Sequence, residues 1–144
     1  MKLTIREAPI EELHKLNKQI PEFIDPYPLS EFQARLSGRR WIGLVAEVDK
    51  IAVGFKLGYA LNTTVFYSWL GGVLPDFRKQ GVAKALVNVQ EKRVRKLGFK
   101  TIKVKSRNKH TNMLHLLLAN DYEIIKTKQY PKNSENRITF FKVL

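Results

Sequence analysis

The chain has 144 residues, of which 44% are hydrophobic and 27% charged, with a formal net charge of +13. This length and composition allow a buried core and exclude a disordered or fibrous protein. There is no cysteine, which excludes disulfides, thiolate metal sites and a cysteine nucleophile. We find no apolar run of signal-peptide or membrane-spanning type, so we expect one cytoplasmic domain over residues 1–144 and no membrane partner.

The first half of the chain predicts a strand, two helices and an antiparallel meander. Alternation predicts a strand at Leu3–Glu7, and Pro9 opens a helix with apolar residues at helical spacing through Ile20. Three prolines between residues 21 and 28 predict a loop before a short helix that runs from Ser30 through Arg35. Three β-rich segments predict the meander strands Trp41–Val48, Ile51–Tyr59 and Thr64–Val73, with Gly71-Gly72 ending the last strand or placing a bulge in it.

The second half predicts a β-α-β unit followed by a helix and two closing strands. An apolar stripe from Val82 to Leu97 predicts a helix over Gln80–Leu97 with these residues buried, and Gly98 ends that helix. The remaining predicted elements are the strand Lys100–Lys105, the helix Asn112–Ala119 and the strands Tyr122–Lys126 and Ile138–Val143. The sequence therefore predicts an α/β (α+β) fold. Its mixed sheet has about six to seven strands, with an antiparallel front half, a central right-handed β-α-β crossover and about four helices.

The junction between the third meander strand and the long helix has the features of a phosphate site. A helix start has backbone N–H groups without internal partners, and the helix dipole favours an anion there. Gly81 allows a phosphate to approach the backbone, and Ala83 keeps the first turn small. Pro75 fixes the entry of the chain, and Arg78 with Lys79 makes the turn basic. This combination favours binding of a pyrophosphate.

The same segment resembles the acyl-CoA motif of the GNAT N-acetyltransferase superfamily, Val-x-Pro-x-x-Arg-x-x-Gly-x-(Gly/Ala)-x-x-Leu. The motif residues here are Val73, Pro75, Arg78, Gly81, Ala83 and Leu86, with no gap. The order of elements along the whole chain is also similar to that family. The resemblance implies an acyl-CoA-dependent N-acyltransferase with acetyl-CoA as the acyl donor and no metal.

The resemblance also implies roles for particular residues. Backbone amides from Lys79 through Lys84 would bind the pyrophosphate; they belong to Lys79, Gln80, Gly81, Val82, Ala83 and Lys84. Val73 and its neighbour Leu74 would lie along the pantetheine arm where two strands splay apart, and an N–H near Val73 would polarise the thioester carbonyl. Side chains that could reach the 3′-phosphate are Arg78, Lys79, Lys84, Arg107 and Lys109. Asn108 matches an Asn that contacts pantetheine in the family, although a loop Asn capping the next helix fits equally well.

The residues that would move protons are less well marked. Many family members carry a Tyr in the helix after that Asn, where it protonates the leaving thiolate, but Asn112–Ala119 contains none. His115 could serve as the acid, because imidazoles titrate near neutral pH, although a surface or packed histidine fits the pattern as well. Glu47 and Tyr67 are candidates for a general base. Alternation places Tyr67 and Trp69 on one face of their strand, which fits core packing as well as a site.

The charge distribution leaves a second function open. Between Arg78 and Lys109 there are twelve Lys or Arg residues and one acid, Glu91. Such a block favours a polyanionic partner, and a basic RNA- or ribosome-binding module with degenerate CoA binding is the alternative to an enzyme. The block has Phe99 as its one aromatic residue, which supplies little base stacking. We therefore favour acetyl transfer to an unidentified primary amine. The family often forms homodimers, but no pattern in the chain identifies an interface.

Overall fold

The computed structural model describes residues 2–144, and these form seven strands, four α-helices and two short 3-10 turns. The strands are β1 (Leu3–Glu7), β2 (Trp41–Val48), β3 (Ile51–Ala60), β4 (Val65–Val73), β5 (Thr101–Arg107), β6 (Glu123–Lys128) and β7 (Arg137–Val143). The helices are α1 (Ile10–Gln19), α2 (Leu29–Leu36), α3 (Val82–Lys96) and α4 (Thr111–Ala119). The 3-10 turns are Pro75–Phe77 and Asn133–Glu135.

All seven strands belong to one mixed sheet with the order β1-β2-β3-β4-β5-β7-β6. Neighbouring strands are antiparallel except β4 and β5, which are parallel and are connected through α3. A parallel pair needs such a crossover because its strands run in the same direction. The predicted fold class is confirmed: the sheet has an antiparallel front half and a β-α-β unit at its centre.

Helices cover the two faces of the sheet and bury separate cores. On one face, α1 and α2 contribute Leu13 and Phe32, which pack with Phe55 and Trp69. On the other face, α3 and α4 contribute buried residues such as Leu86 and Leu117, which pack with strand residues such as Phe66 and Phe140. The site described below lies where the central strands separate between these two layers.

The buried stripe of α3 differs from the predicted one. Leu97 was expected inside but is 47% exposed, because the helix ends at Lys96 and Gly98 turns the chain with φ +93°. Gln90 and Glu91 are buried instead. The Glu91 carboxylate accepts from Lys142 Nζ at 2.5 Å and from the Tyr122 hydroxyl at 3.4 Å, so its burial is compensated by hydrogen bonds.

Strand β4 has a bulge at Trp69 and not at Gly71-Gly72. Leu57 of β3 pairs with Leu70, and the next residue, Gly58, pairs with Ser68, so Trp69 is the extra residue. Pairing between β4 and β5 also ends here, since it covers only Val65–Ser68 against Thr101–Val104. The two strands therefore separate from Trp69 onward, about two residues before the position that the glycines suggested, because a bulge bends the strand that carries it.

Candidate functional site

The loop before α3 exposes a run of backbone donors. Lys79 and Gly81 both have left-handed backbone conformations, with φ +62° and φ +82°. None of the backbone N–H groups of residues 79–84 has a hydrogen-bond acceptor within residues 2–144, and α3 has no side-chain cap. Six consecutive unpaired amides at a helix N-terminus form a strong anion-binding arrangement.

The space over this loop is open. A Cβ built on Gly81 meets no atom within 4 Å, so glycine is required there by the positive φ and leaves the backbone accessible. The side chains of Lys79 and Lys84 are exposed beside the same amides. Backbone donors, an uncovered glycine and two flanking ammonium groups together fit a pyrophosphate.

The gap between β4 and β5 exposes unpaired strand backbone. Leu74 donates its N–H to Val53 O of β3 at 2.8 Å. Because successive peptide groups of a strand point in opposite directions, the N–H of Val73 faces the gap. This side of β4 has no strand partner beyond Ser68, so an extended ligand arm could pair with it as an added strand.

Arg78 has a different environment from the one that the sequence predicted. Its Nε donates to Val73 O at 2.9 Å, and its two terminal nitrogens donate to the Glu22 carboxylate at 2.8 and 2.7 Å. This bidentate pair is half-exposed and holds the pKa of Glu22 below its usual range. The guanidinium therefore ties the end of β4 to the loop between α1 and α2, and all three of its binding nitrogens are occupied by protein acceptors. Reaching a 3′-phosphate would require breaking these bonds.

The end of β5 is anchored to the turn before β7. Asn108 donates its amide to Asn133 O at 3.3 Å, while Lys109 Nζ lies 2.6 Å from the Glu135 carboxylate. Arg107 donates to Glu135 O at 2.7 Å. Asn108 does not cap α4, because the N-cap residue is His110 and it makes no side-chain cap bond. These three side chains fix one wall of the gap.

Tyr67 lies at the closed end of the gap, one residue before the last β4–β5 pair. Its ring contacts Tyr59 edge-on with centroids 5.5 Å apart, and Lys105 Nζ is 5.9 Å from the ring centroid. Burial raises the pKa of the Tyr67 hydroxyl, so the phenol remains protonated at neutral pH and is a hydrogen-bond donor in preference to a base. Trp69 is buried against Phe32 and Arg35, as a core residue.

The other two predicted proton carriers lie elsewhere. Glu47 is on β2 at the β1 side of the sheet, opposite Thr4, and its carboxylate is 3.2 Å from Arg6 Nε. Two strands, β3 and β4, separate it from the β4–β5 gap. His115 is on the exposed side of α4. The structure does not bring either residue together with Tyr67 and Val73.

His110 is a candidate that the sequence reasoning did not identify. It precedes α4, directly after the end of β5, and is half-buried. Burial and then Lys109 lower the pKa of the imidazole, while the carboxylates of Glu22 and Glu135 act in the opposite direction. The ring is therefore neutral at pH 7 and lies in the field of Glu22, across the gap from the end of β4. The sequence feature that could have identified His110 is its position in the loop that follows β5, at the opening of the β4–β5 gap.

Two negative findings bound the chemistry of residues 2–144. They contain no group of three or more His, Asp or Glu side chains arranged to hold a metal ion. In the same range, no helix has the length and apolar composition needed to cross a bilayer.

A surface depression of about 580 Å³ lies beside Arg39, Arg40 and Asn62. This depression is at the opposite end of β3 and β4 from Val73, so we do not assign it to the site.

Comparison with known proteins agrees with this geometry. Residues 8–119 match the model of the Acetyltransferase (GNAT) family, and no curated protein matches the chain. Similar solved structures include Ard1 from Thermoplasma volcanium, with 19% identity, a TM-score of 0.83, and 99% of this chain and 97% of that chain covered. The ribosomal-protein-S18-alanine N-acetyltransferase from Escherichia coli has 16% identity and a TM-score of 0.84, with 99% and 94% covered. A GNAT family acetyltransferase from Elizabethkingia anophelis with acetyl-CoA bound has 15% identity and a TM-score of 0.78, with 99% and 98% covered.

Proposed function

The chain belongs to the GNAT acetyltransferase family of acyl-CoA-dependent enzymes, and from that premise we propose that it acetylates a primary amine of a small molecule or protein by direct attack on acetyl-CoA. The observation that carries the proposal is the run of six unpaired amides at residues 79–84, beside the unpaired edge of β4. The first feature fits a pyrophosphate and the second fits an extended arm. Acetyl-CoA contains both a pyrophosphate and an extended arm.

Acetyl-CoA supplies an acetyl thioester, and the chain's own groups bind and orient it. Backbone N–H groups of Lys79 through Lys84 hold the diphosphate. The Val73 N–H faces the gap and would donate to the acyl carbonyl oxygen, where preorganised donors stabilise developing negative charge. Asn108 and Arg107 hold the opposite wall through their bonds to Asn133 and Glu135.

We assign the proton-accepting role to His110. Its neutral imidazole at pH 7 can take a proton from the incoming ammonium group, directly or through water. The freed amine then forms the C–N bond to the acetyl carbon as the C–S bond breaks, CoA leaves as the thiolate, and the second amine proton passes to that thiolate or to solvent. The carboxylate of Glu22, in the α1–α2 loop, acts on the imidazole through its charge and would stabilise the imidazolium that forms. Tyr67 remains protonated and would act as a hydrogen-bond donor at the closed end of the gap.

The donor site can be tested with two matched glycine variants. Gly81 and Gly98 lie at opposite ends of α3, both have positive φ, and a Cβ on either meets no atom within 4 Å. Gly81→Glu and Gly98→Glu therefore introduce the same charge and similar backbone strain, about 1–2 kcal/mol. Acetyl-CoA titrated by calorimetry should bind the wild type and Gly98→Glu, and should bind Gly81→Glu at least ~10-fold more weakly.

Equal loss of binding in both variants would show that strain alone is responsible, and no binding to the folded wild type would overturn the donor assignment. Turnover is then measured by release of CoA thiol with a panel of primary amines and peptides. Acetylated product identified by mass spectrometry establishes the acceptor class. Thiol release without acetylated product would indicate hydrolysis and contradict amine transfer.

A further inference from the structure

The β5–β7–β6 end of the sheet carries an unusual concentration of cations on the face opposite α3 and α4. Arg107 of β5 is paired with Arg137 of β7, which is paired with Lys128 of β6, so three cations form a row across three strands. Val104 and Phe140, which alternate with these residues, point into the core under α3 and α4. We call this surface the basic face; its cations are Lys103, Lys105, Arg107, Lys126, Lys128 and Arg137.

Solvent reaches the basic face because the neighbouring helices stop short of it. Helix α1 packs against β2, β3 and β4. All six residues of β6 are exposed, and Lys105 is exposed on β5. Acids lie at two edges of the face: Glu135 is shared between Lys109 at 2.6 Å and Arg107 at 3.6 Å, and Glu123 of β6 pairs with Phe141, which pairs with Lys103.

The arrangement is unfavourable in the isolated chain. Like charges directly opposite each other on neighbouring strands destabilise a sheet. Partial burial is the first cause that lowers the pKa of Lys105, and the charges of Lys103, Arg137, Lys126 and Lys128 act in the same direction, as expected for like charges on neighbouring strands. Strand pairing alone gives no reason for this pattern. An anionic partner laid across the strands would remove the repulsion.

The basic face begins where the β4–β5 gap begins. Tyr67, at the closed end of the gap, pairs with Lys103, and the Lys105 ammonium lies 5.9 Å from its ring. Helix α3, whose N-terminus carries the phosphate-binding amides, packs on the opposite face of the sheet. The donor therefore occupies the α3 side, and an acceptor has room to approach from the side of the basic face.

We infer that the acceptor is a polypeptide whose amino group lies beside acidic residues, and that those carboxylates bind the basic face. Cations at alternate positions of a strand are about 7 Å apart, which is also the spacing of alternate side chains in an extended peptide. An extended acidic segment can therefore match Lys103 and Lys105 of β5, or Lys126 and Lys128 of β6, in register, while Arg107 stays bonded to Glu135. The inference rests on the proposed function, and it specifies the acceptor.

Two features favour a polypeptide over RNA. The reaction consumes an aliphatic amine, which protein N-termini and lysines supply and unmodified RNA does not. Single-stranded RNA binds on aromatic platforms. Here Tyr130 is covered by Arg107 and Lys128, whose cationic groups lie 5.1 and 5.4 Å from its ring centroid, so it is not free to stack on a base.

The experiment compares two peptides of equal length, each with one free N-terminal amine and a C-terminal fluorophore. One carries glutamates at three alternate positions, and the other carries glutamines there. We expect the glutamate peptide to bind at least ~10-fold more tightly by fluorescence anisotropy at low ionic strength, with the difference shrinking as salt is added. Its kcat/KM for acetylation should show the same preference.

Charge reversal on the basic face provides the specificity test. In the double variant Lys105→Glu with Arg137→Glu, the preference should fall to parity or invert, and the thermal midpoint should not decrease because repulsion is removed. The control is Lys92→Glu with Lys96→Glu, which makes the same change in net charge on the exposed side of α3. The control should keep the preference for the glutamate peptide.

Three results would overturn the inference. The first is equal anisotropy binding of the two peptides by the wild type, and the second is an equal loss of preference in the basic-face variant and its control. The third is an unlabelled RNA oligonucleotide that displaces the glutamate peptide at lower concentration than unlabelled glutamate peptide does. Acetyl-CoA binding by calorimetry is measured on every variant. If the wild type does not bind acetyl-CoA, the proposed function is contradicted. If it binds acetyl-CoA but does not prefer the glutamate peptide, only the acceptor inference is contradicted.

Discussion

Replacing Lys56 with methionine should stabilise the protein. Lys56 is on β3, is 6% exposed, and its Nζ lies 3.6 Å from the position of a Cβ built on Gly71. Burial lowers the pKa of its ammonium group from 10.5 to about 8, and the charge of Glu91 opposes that change. At about 1.36 kcal/mol per pH unit, holding the charged form inside costs about 3 kcal/mol at pH 7. Methionine fills a similar volume without that cost.

The effect should depend on pH in a defined direction. Between about pH 8 and 10.5 the unfolded chain keeps its proton on Lys56 and the folded chain does not. The free energy of unfolding of the wild type should therefore rise with pH across this window, while the full cost is present below pH 8. In Lys56→Met this rise should be absent.

Urea denaturation followed by circular dichroism at pH 7 and at pH 9.5 measures both effects. Lys92→Met serves as the control, because Lys92 is exposed on α3. We expect Lys56→Met to raise the unfolding free energy at pH 7 by up to about 3 kcal/mol and the control to change it by less than about 0.5 kcal/mol. A destabilised Lys56→Met variant, or one with the same pH dependence as the wild type, would refute the argument that desolvation dominates at this site.

Three further outcomes are expected. His110→Gln should lower kcat/KM for the amine by roughly 10²-fold at pH 7.5. Burial and Lys109 lower the imidazole pKa of His110, so wild-type activity should persist at the usual histidine pKa of about 6.5 and fall only at lower pH; an acid limb that is the same in His110→Gln would contradict the assignment. Arg78→Lys loses the bidentate contact with Glu22, so initial rates should show a raised KM for the amine acceptor. The affinity for acetyl-CoA, measured by calorimetry, should change less than ~3-fold. An unchanged KM for the acceptor would count against a role for this pair. Lys142→Met should destabilise the fold by about 3 kcal/mol in urea, because buried Glu91 would keep only the 3.4 Å bond from Tyr122, and a neutral effect would show that the ion pair contributes little to stability.

Local patterns in the sequence determined the elements and the run of backbone amides that we propose for the donor. The motif from Val73 to Leu86 specifies a strand, a turn and a helix start within fourteen consecutive residues, so no long-range information is needed to predict the amides at 79–84. Element order predicted the mixed sheet in the same way, since strands joined by tight turns are antiparallel and a strand-helix-strand unit is parallel. The boundaries differ from the prediction by a few residues at most.

The tertiary structure decided which side chains share a site. Arg78 and Glu22 are 56 residues apart, and no local pattern indicated that the carboxylate would occupy the guanidinium. His110 became a candidate only in the folded chain, where the charge of Glu22 from the α1–α2 loop reaches it, and Glu47 was excluded because the sheet order places it two strands away from the gap. The sequence determines which residues share a face within one element, because side chains return to the same face every 2 residues in a strand and every 3.6 residues in a helix. Contacts between elements depend on register, bulges and loop paths, as with the row Arg107, Arg137 and Lys128, and these are properties of the folded chain.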